Sequence, residues 1–184
     1  MNSVQMAPLT VEDYRLLPET GPRYQLIEGD LFMAPAPNRF HQNIALNVAV
    51  ILYNYLAKHP IGSVFTAPFD VYLDEINAVQ PDVVFVAKGN DILTAQGASG
   101  APDFVAEVLS PKTAHLDKKS KRHIYARSGI KELWLIDPDT ETIHVYFLQK
   151  DAEKPAKVYG ARDTFTSSTF SGLKFKGAAI FRQQ

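Results

Sequence analysis

The sequence predicts an α/β domain built on a mixed β-sheet flanked by helices, and three observations carry that expectation. Between residues 63 and 109, short segments rich in β-branched and aromatic residues alternate with Pro, Gly and Asn. A long helix with one apolar stripe precedes them, and a polar helix follows them. Strand, helix and strand around residues 103–137 then read as a right-handed crossover between parallel neighbours.

Taken in order, Thr10-Val11-Glu12-Asp13 supplies an N-cap and acidic first-turn residues, so a short helix opens there and stops before Pro18. Arg23–Ile27 and Leu31–Met33 flank Glu28-Gly29-Asp30, a hairpin turning on Gly29. Asn38 caps a helix that runs to about Lys58. Its residues Ile44, Val48, Ile51, Leu52 and Tyr55 fall at i, i+4, i+7, i+8 and i+11, one buried stripe. Ser63–Thr66, Phe69–Leu73, Asp82–Val86 and Asp103–Leu109 read as strands. The consecutive apolar run Val83-Val84-Phe85-Val86 fits a strand covered on both faces. A polar helix from roughly Ala114 to Ser128 ends at Gly129. Glu132–Asp137 and Thr142–Leu148 follow, joined at Pro138-Asp139. Val158-Tyr159, Thr164-Phe165-Thr166 and Leu173–Phe175 are expected as edge strands, and Trp134, Tyr146 and Phe147 as core.

A chain of 184 residues with 46% apolar and 21% charged content suits one soluble domain spanning residues 1–184. No apolar run approaches the ~20 residues a membrane helix needs, so no membrane partner is expected. The absence of cysteine excludes disulfides, thiolate catalysis and cysteine-rich zinc sites. With an N-terminus that has neither a basic start nor an apolar run, it points to a cytoplasmic protein. The net charge of −1, from 19 basic and 20 acidic residues, argues against tight sequence-independent DNA binding. Lys118, Lys119, Lys121 and Arg122 read as a solvated helix face, as such runs usually are, and also as the one obvious phosphate-binding patch.

Two acids are out of place for structural strands. Asp82 opens the run Val83–Val86 directly after Pro81, and Glu107 lies inside Phe104-Val105-Ala106-Glu107-Val108-Leu109. A covered carboxylate must be paired, metal-bound or protonated, because burying a bare charge costs many kcal/mol. Alone, Asp82 reads equally well as a strand cap, and Glu107 as half of a buried ion pair. Together on adjacent strands they suit an oxygen-ligated divalent cation such as Mg²⁺. If that is their task, they repel each other without the cation. Glu107→Gln or Asp82→Asn is then expected to leave the metal-free protein at least as stable.

Pro81-Asp82 followed by Glu107 resembles the PD…(D/E)XK pattern of metal-dependent nucleases. Four stretches resemble the Uma family of putative restriction endonucleases: Arg23–Asp30, Gln80–Val86, Ala101–Pro111, and Asp117–Lys121 leading through Tyr125–Pro138. The likeness covers roughly residues 8 to 148, with a nuclease core of about residues 22–148. It implies a restriction-endonuclease-like fold, with an N-terminal helix and hairpin and C-terminal edge strands. It also implies hydrolysis of nucleic acid, DNA in the first instance, with Mg²⁺ (or Mn²⁺ in its place) held by Asp82 and Glu107. Such enzymes are often homodimers. The superfamily's lysine, two residues after the Glu, is Leu109 here; the resemblance offers Lys121 instead, while Asp117 and Lys121 also fit a routine i, i+4 surface pair. Glu28 matches the family's first acidic position, where it would support the metal, and equally fits a plain turn. His41 reads as a metal or phosphate contact, or as a structural histidine at a helix start. A catalytically idle module that binds nucleic acid or a protein is the rival reading. A serine hydrolase built on Ser110 is not supported, since no Gly-x-Ser-x-Gly elbow surrounds it.

Overall fold

The structure, a computed structural model, describes residues 7–18, 20–34, 36–110 and 120–183. Thr10 caps helix α1 (Val11–Arg15) through a capping box closed by Asp13, and the hairpin β1 (Arg23–Ile27) and β2 (Asp30–Ala34) follows. Its two-residue turn is Glu28-Gly29, with φ of 53° and 83° and Ile27 facing Asp30 across it. Positive φ at both central residues is what the hairpin's twist demands, and Gly29 supplies it without strain. Asn38 caps α2 (Arg39–Leu56) by accepting the His41 N–H at 2.9 Å. Ile44, Val48 and Leu52 of the expected stripe are buried, Leu56 extends it, and Ile51 and Tyr55 sit at its margin.

The strands form two principal sheets rather than one. The six-stranded sheet contains β3 (Gly62–Thr66), β6 (Val83–Ala87), β8 (Phe104–Val108), β9 (Glu132–Asp137), β10 (Thr142–Phe147) and β11 (Lys157–Gly160), ordered 11-10-9-8-6-3. Only β8 and β9 run parallel in it, and they are the pair joined through α3 (Arg122–Ser128). The five-stranded sheet joins the N-terminal hairpin to β4 (Asp70–Asp74), β5 (Asn77–Val79) and β7 (Gly97–Ser99). Strands β5 and β7 escape the sequence reading because each is three residues long and one of them begins at a polar asparagine. That asparagine, Asn77, is fully buried; its amide donates to Asp74 and its oxygen accepts the Glu28 N–H at 2.8 Å. Gly129 ends α3 with φ of 98°, as expected of a helix-stop glycine.

The six-stranded sheet has two apolar faces. Helix α2 and the C-terminal aromatics Phe165 and Phe170 cover one, meeting Val83, Phe85, Phe104 and Trp134. The five-stranded sheet and α3 cover the other, where Val71 and Val79, with Ile124 and Tyr125, meet Val84, Val86 and Val105. The C-terminal segments form a hairpin, β12 (Thr164–Thr166) with β13 (Lys174–Lys176), and a short helix α4 (Ala178–Phe181). Of the expected C-terminal edge strands, β11 alone lies at an edge of the six-stranded sheet among the described residues, the other edge being β3. One acid fastens this segment down. Glu132, 1% exposed, accepts from Trp134 Nε1 at 2.7 Å, the Ser167 and Ser168 hydroxyls, and both the N–H and hydroxyl of Thr169. Among the described residues no helix is long and apolar enough to cross a membrane.

Candidate active site

Register places the two out-of-place acids. Strands β6 and β8 are antiparallel, with Val83 opposite Ala106 and Val84 opposite Val105. One step further along, Asp82 stands opposite Glu107. Directly opposed residues send their side chains to the same face, with Cβ atoms about 4.5–5.5 Å apart. That face is the one α3 covers, since Val84, Val86, Val105 and Leu109 all belong to it.

Each carboxylate is held from a different direction. Asp82 Oδ2 accepts the Val108 N–H at 2.7 Å, and His41 Nε2 lies 3.2 Å from the same oxygen. Asp82 sits just before its strand, at the end of the sheet, so the first turn of α2 reaches it from the other layer. Its Oδ1 takes no hydrogen bond among the described residues. Glu107 is buried. Its Oε1 accepts from Lys121 Nζ at 3.0 Å and from Tyr125 Oη at 2.5 Å. Lys121 and Tyr125 are one helical turn apart, so both project from one side of α3 onto the same oxygen.

Lys121 thus lies inside the protein, 4% exposed, with its ammonium on Glu107. Arg122 is also buried, and bonds Glu153 at 3.1 Å with its guanidinium over the Tyr146 ring. This corrects the phosphate patch expected from the sequence: two of its four bases point inward to carboxylates. The other two, Lys118 and Lys119, and the Asp117 partner considered for Lys121, lie outside the described residues. The expectation of two carboxylates left to repel each other fails for the same reason, because an ammonium already neutralises Glu107.

Glu28 goes elsewhere. Its carboxylate pairs with Arg127 at 3.1 Å and makes no bond to Asp82, Glu107 or Lys121. The structure therefore gathers Asp82, Glu107 and Lys121, and adds His41 and Tyr125. Tyr125 carried a signal that the sequence reading passed over: a tyrosine one turn after a lysine, on a helix packed against the sheet, needs a partner for its hydroxyl.

The profile of Uma2, described as "Putative restriction endonuclease", matches residues 11–178. The chain belongs to the Uma2 family. A crystal structure described as a putative nuclease belonging to DUF820, from Anabaena variabilis ATCC 29413, superposes with a TM-score of 0.79. That match covers 95% of this chain and 98% of the other at 23% identity, which speaks to the fold, a restriction-endonuclease-like mixed α/β architecture. No curated protein matches significantly. In this Uma2 chain Leu109, two residues after Glu107, is 6% exposed and packs in the core beneath α3, while Lys121 reaches Glu107 from above.

Whether the site suits a cation turns on its donors. Among the described residues no three His, Asp or Glu side chains gather into a metal-binding group. The protein offers the two carboxylates of Asp82 and Glu107. That sparse, hard-oxygen set fits Mg²⁺, which commonly takes one or two carboxylates and fills its octahedron with water and substrate phosphate.

Proposed function

We propose that this Uma2 protein hydrolyses phosphodiester bonds of nucleic acid, DNA in the first instance, with Mg²⁺ or Mn²⁺ held by Asp82 and Glu107. The observation that carries the reading is the buried ammonium of Lys121 on Glu107, beside a position directly opposite Asp82. When bound, such a cation polarises the scissile phosphate and lowers the pKa of an attacking water. Lys121 is the residue that positions that water and offsets charge developing on the phosphate. Tyr125 holds the Glu107 rotamer, and the Val108 N–H holds Asp82, so both acids are set before substrate arrives. Glu28 enters this scheme by resemblance alone, as a support for the metal, since its carboxylate sits on Arg127.

A second reading draws on the same contact: a buried Lys–Glu–Tyr set also serves as a structural pair in an idle module that binds nucleic acid or a protein. Melting with Mg²⁺, with Mn²⁺ and with EDTA separates the two. At ten times its Kd, a cation bound only to the folded state adds about 1.4 kcal/mol of stability. A rise in Tm that Asp82→Asn abolishes, with cleavage of plasmid or single-stranded DNA that needs the same cation, is expected of the nuclease. No cation response and no cleavage would leave the idle module.

A further inference from the structure

The surface suited to hold the substrate, whose nature rests on the nuclease reading, lies away from α3. Residues 154–184 carry six basic residues (Lys154, Lys157, Arg162, Lys174, Lys176, Arg182) against one acid, Asp163, a net charge of +5. The whole chain is −1, so residues 1–153 carry −6. All six bases are exposed, and among the described residues none forms a side-chain salt bridge, Lys154 alone lying close to a carboxylate, that of Asp151.

Their placement gives the excess a direction. Tyr55 near the end of α2 donates to the Ser171 carbonyl at 2.9 Å, while Asn47 donates to the carbonyls of Ile180 and Arg182, both at 2.9 Å. The segment 171–182 therefore runs back along α2, from its C-terminal part toward its start. From Tyr55 to Asn47 is eight residues, about 12 Å of helix, and from Asn47 to His41 a further six, about 9 Å. His41 is the residue on Asp82. Along that path, Phe175 turns inward to stack on Phe165 at 4.6 Å, which sends Lys174 and Lys176 outward on one face of β13. Arg182 follows beside Asn47, and Arg39, exposed on the first turn of α2, stands at the site end.

We infer that Lys174, Lys176 and Arg182, continued by Arg39, form a phosphate track that lays a nucleic-acid backbone along α2 and leads it to Asp82 and Glu107. An attached chain of phosphates meets successive cations in line, whereas a negatively charged remainder keeps other approaches unfavourable.

The test uses the full chain in EDTA, so that binding is read without cleavage. A fluorescein-labelled 20-base-pair duplex is titrated by anisotropy from 50 to 200 mM NaCl with the parent, with K174Q/K176Q/R182Q, and with K88Q/K150Q as a control elsewhere on the surface. The triple variant is expected to lower the slope of log K against log salt by roughly 2.7, at about 0.9 per phosphate contact, and to weaken binding on the order of 10²-fold at 0.1 M salt. The control is expected to stay close to the parent. Retention of the parental slope by the triple variant, or an equal loss in the control, would overturn the track. Cation-dependent hydrolysis of bis(4-nitrophenyl) phosphate, too short to reach the track, is expected to be unchanged in the triple variant. Should the parent fail to hydrolyse that ester while the binding loss stands, the nuclease reading falls and the track survives.

Discussion

Replacing Glu107 by Gln removes one charge from a pair whose side chains are both about 5% exposed or less and takes that carboxylate from the Lys121 ammonium. Breaking a buried pair by removing one partner typically costs about 3–5 kcal/mol. The loss has a ceiling, because the lysine can release its proton. From an ordinary lysine value of about 10.4, doing so at pH 7 costs roughly 1.36 × 3.4, or about 4.6 kcal/mol. Lys121→Met takes the ammonium from the Glu107 carboxylate instead. Protonating it at pH 7 from an ordinary value of about 4.3 costs about 3.7 kcal/mol, which caps that variant. Glu107→Gln with Lys121→Met removes both charges of the pair together and is expected within about 1 kcal/mol of the parent.

The two single variants also carry opposite pH signatures. In Glu107→Gln the unfolded chain keeps a lysine proton that the folded chain prefers to lose, so stability rises with pH, by up to about 1.4 kcal/mol per unit below the ordinary lysine value. In Lys121→Met the folded chain holds a proton that the unfolded carboxylate has lost, so stability falls as pH rises above about 4.3. Urea unfolding in EDTA at pH 6, 7, 8 and 9 reads both slopes. Slopes of the same sign, or a Glu107→Gln protein as stable as the parent, would refute the buried pair and restore two unneutralised carboxylates.

Three further outcomes follow from particular residues. Gly29→Ala is expected to cost at least about 1–2 kcal/mol in urea unfolding, because φ is +83° and the added Cβ would stand 2.3 Å from that of Pro8. Glu28→Asn should change stability by less than about 0.5 kcal/mol, since asparagine accepts the left-handed turn position and the lost pair with Arg127 is half exposed. Cleavage assayed on that stable variant then decides whether Glu28 serves the metal, and a large drop in stability would refute the turn argument. Burial alone would raise the Asp103 pKa, but the Lys131 ammonium, the Asn90 amide and the Ala87 N–H together hold it below the usual carboxylate value. A depressed folded value stabilises above about pH 3.9 and is lost as pH falls through it. Asp103→Asn should therefore flatten the fall of the urea midpoint between pH 5 and 3, and an unchanged profile would count against this network.

What could be read from the sequence was what short-range patterning encodes. The cap at Thr10, the Glu28-Gly29 turn, the Asn38-capped helix, the Gly129 stop and the crossover from β8 to β9 each depend on residues close together in the chain. So did the suspicion around Asp82 and Glu107, because acids among apolar neighbours are anomalous on their own strands. Burial on α3 was harder to see. Lys121 and Arg122 look like surface bases until Glu107 and Glu153, 14 and 31 residues away respectively, show where they point. Strands β5 and β7 carry too few residues for a period, and the basic C-terminal segment becomes a track only when Asn47 and Tyr55 lay it along α2.

Glu132 bears on where this protein can be divided. Its carboxylate is satisfied by neutral donors, four of the five from residues 167–169, more than thirty positions downstream. A fragment ending near residue 148 would keep Asp82, Glu107 and Lys121, yet it would abandon a core acid to a single indole N–H. It would also uncover the Phe85 and Phe104 surface that Phe170 seals. The downstream hairpin is thus no detachable appendage but a closing piece whose lock lies in β9, next to the strand that bears Glu107. Tags or fusion partners are best attached beyond Arg182, and insertions are best kept out of residues 167–170.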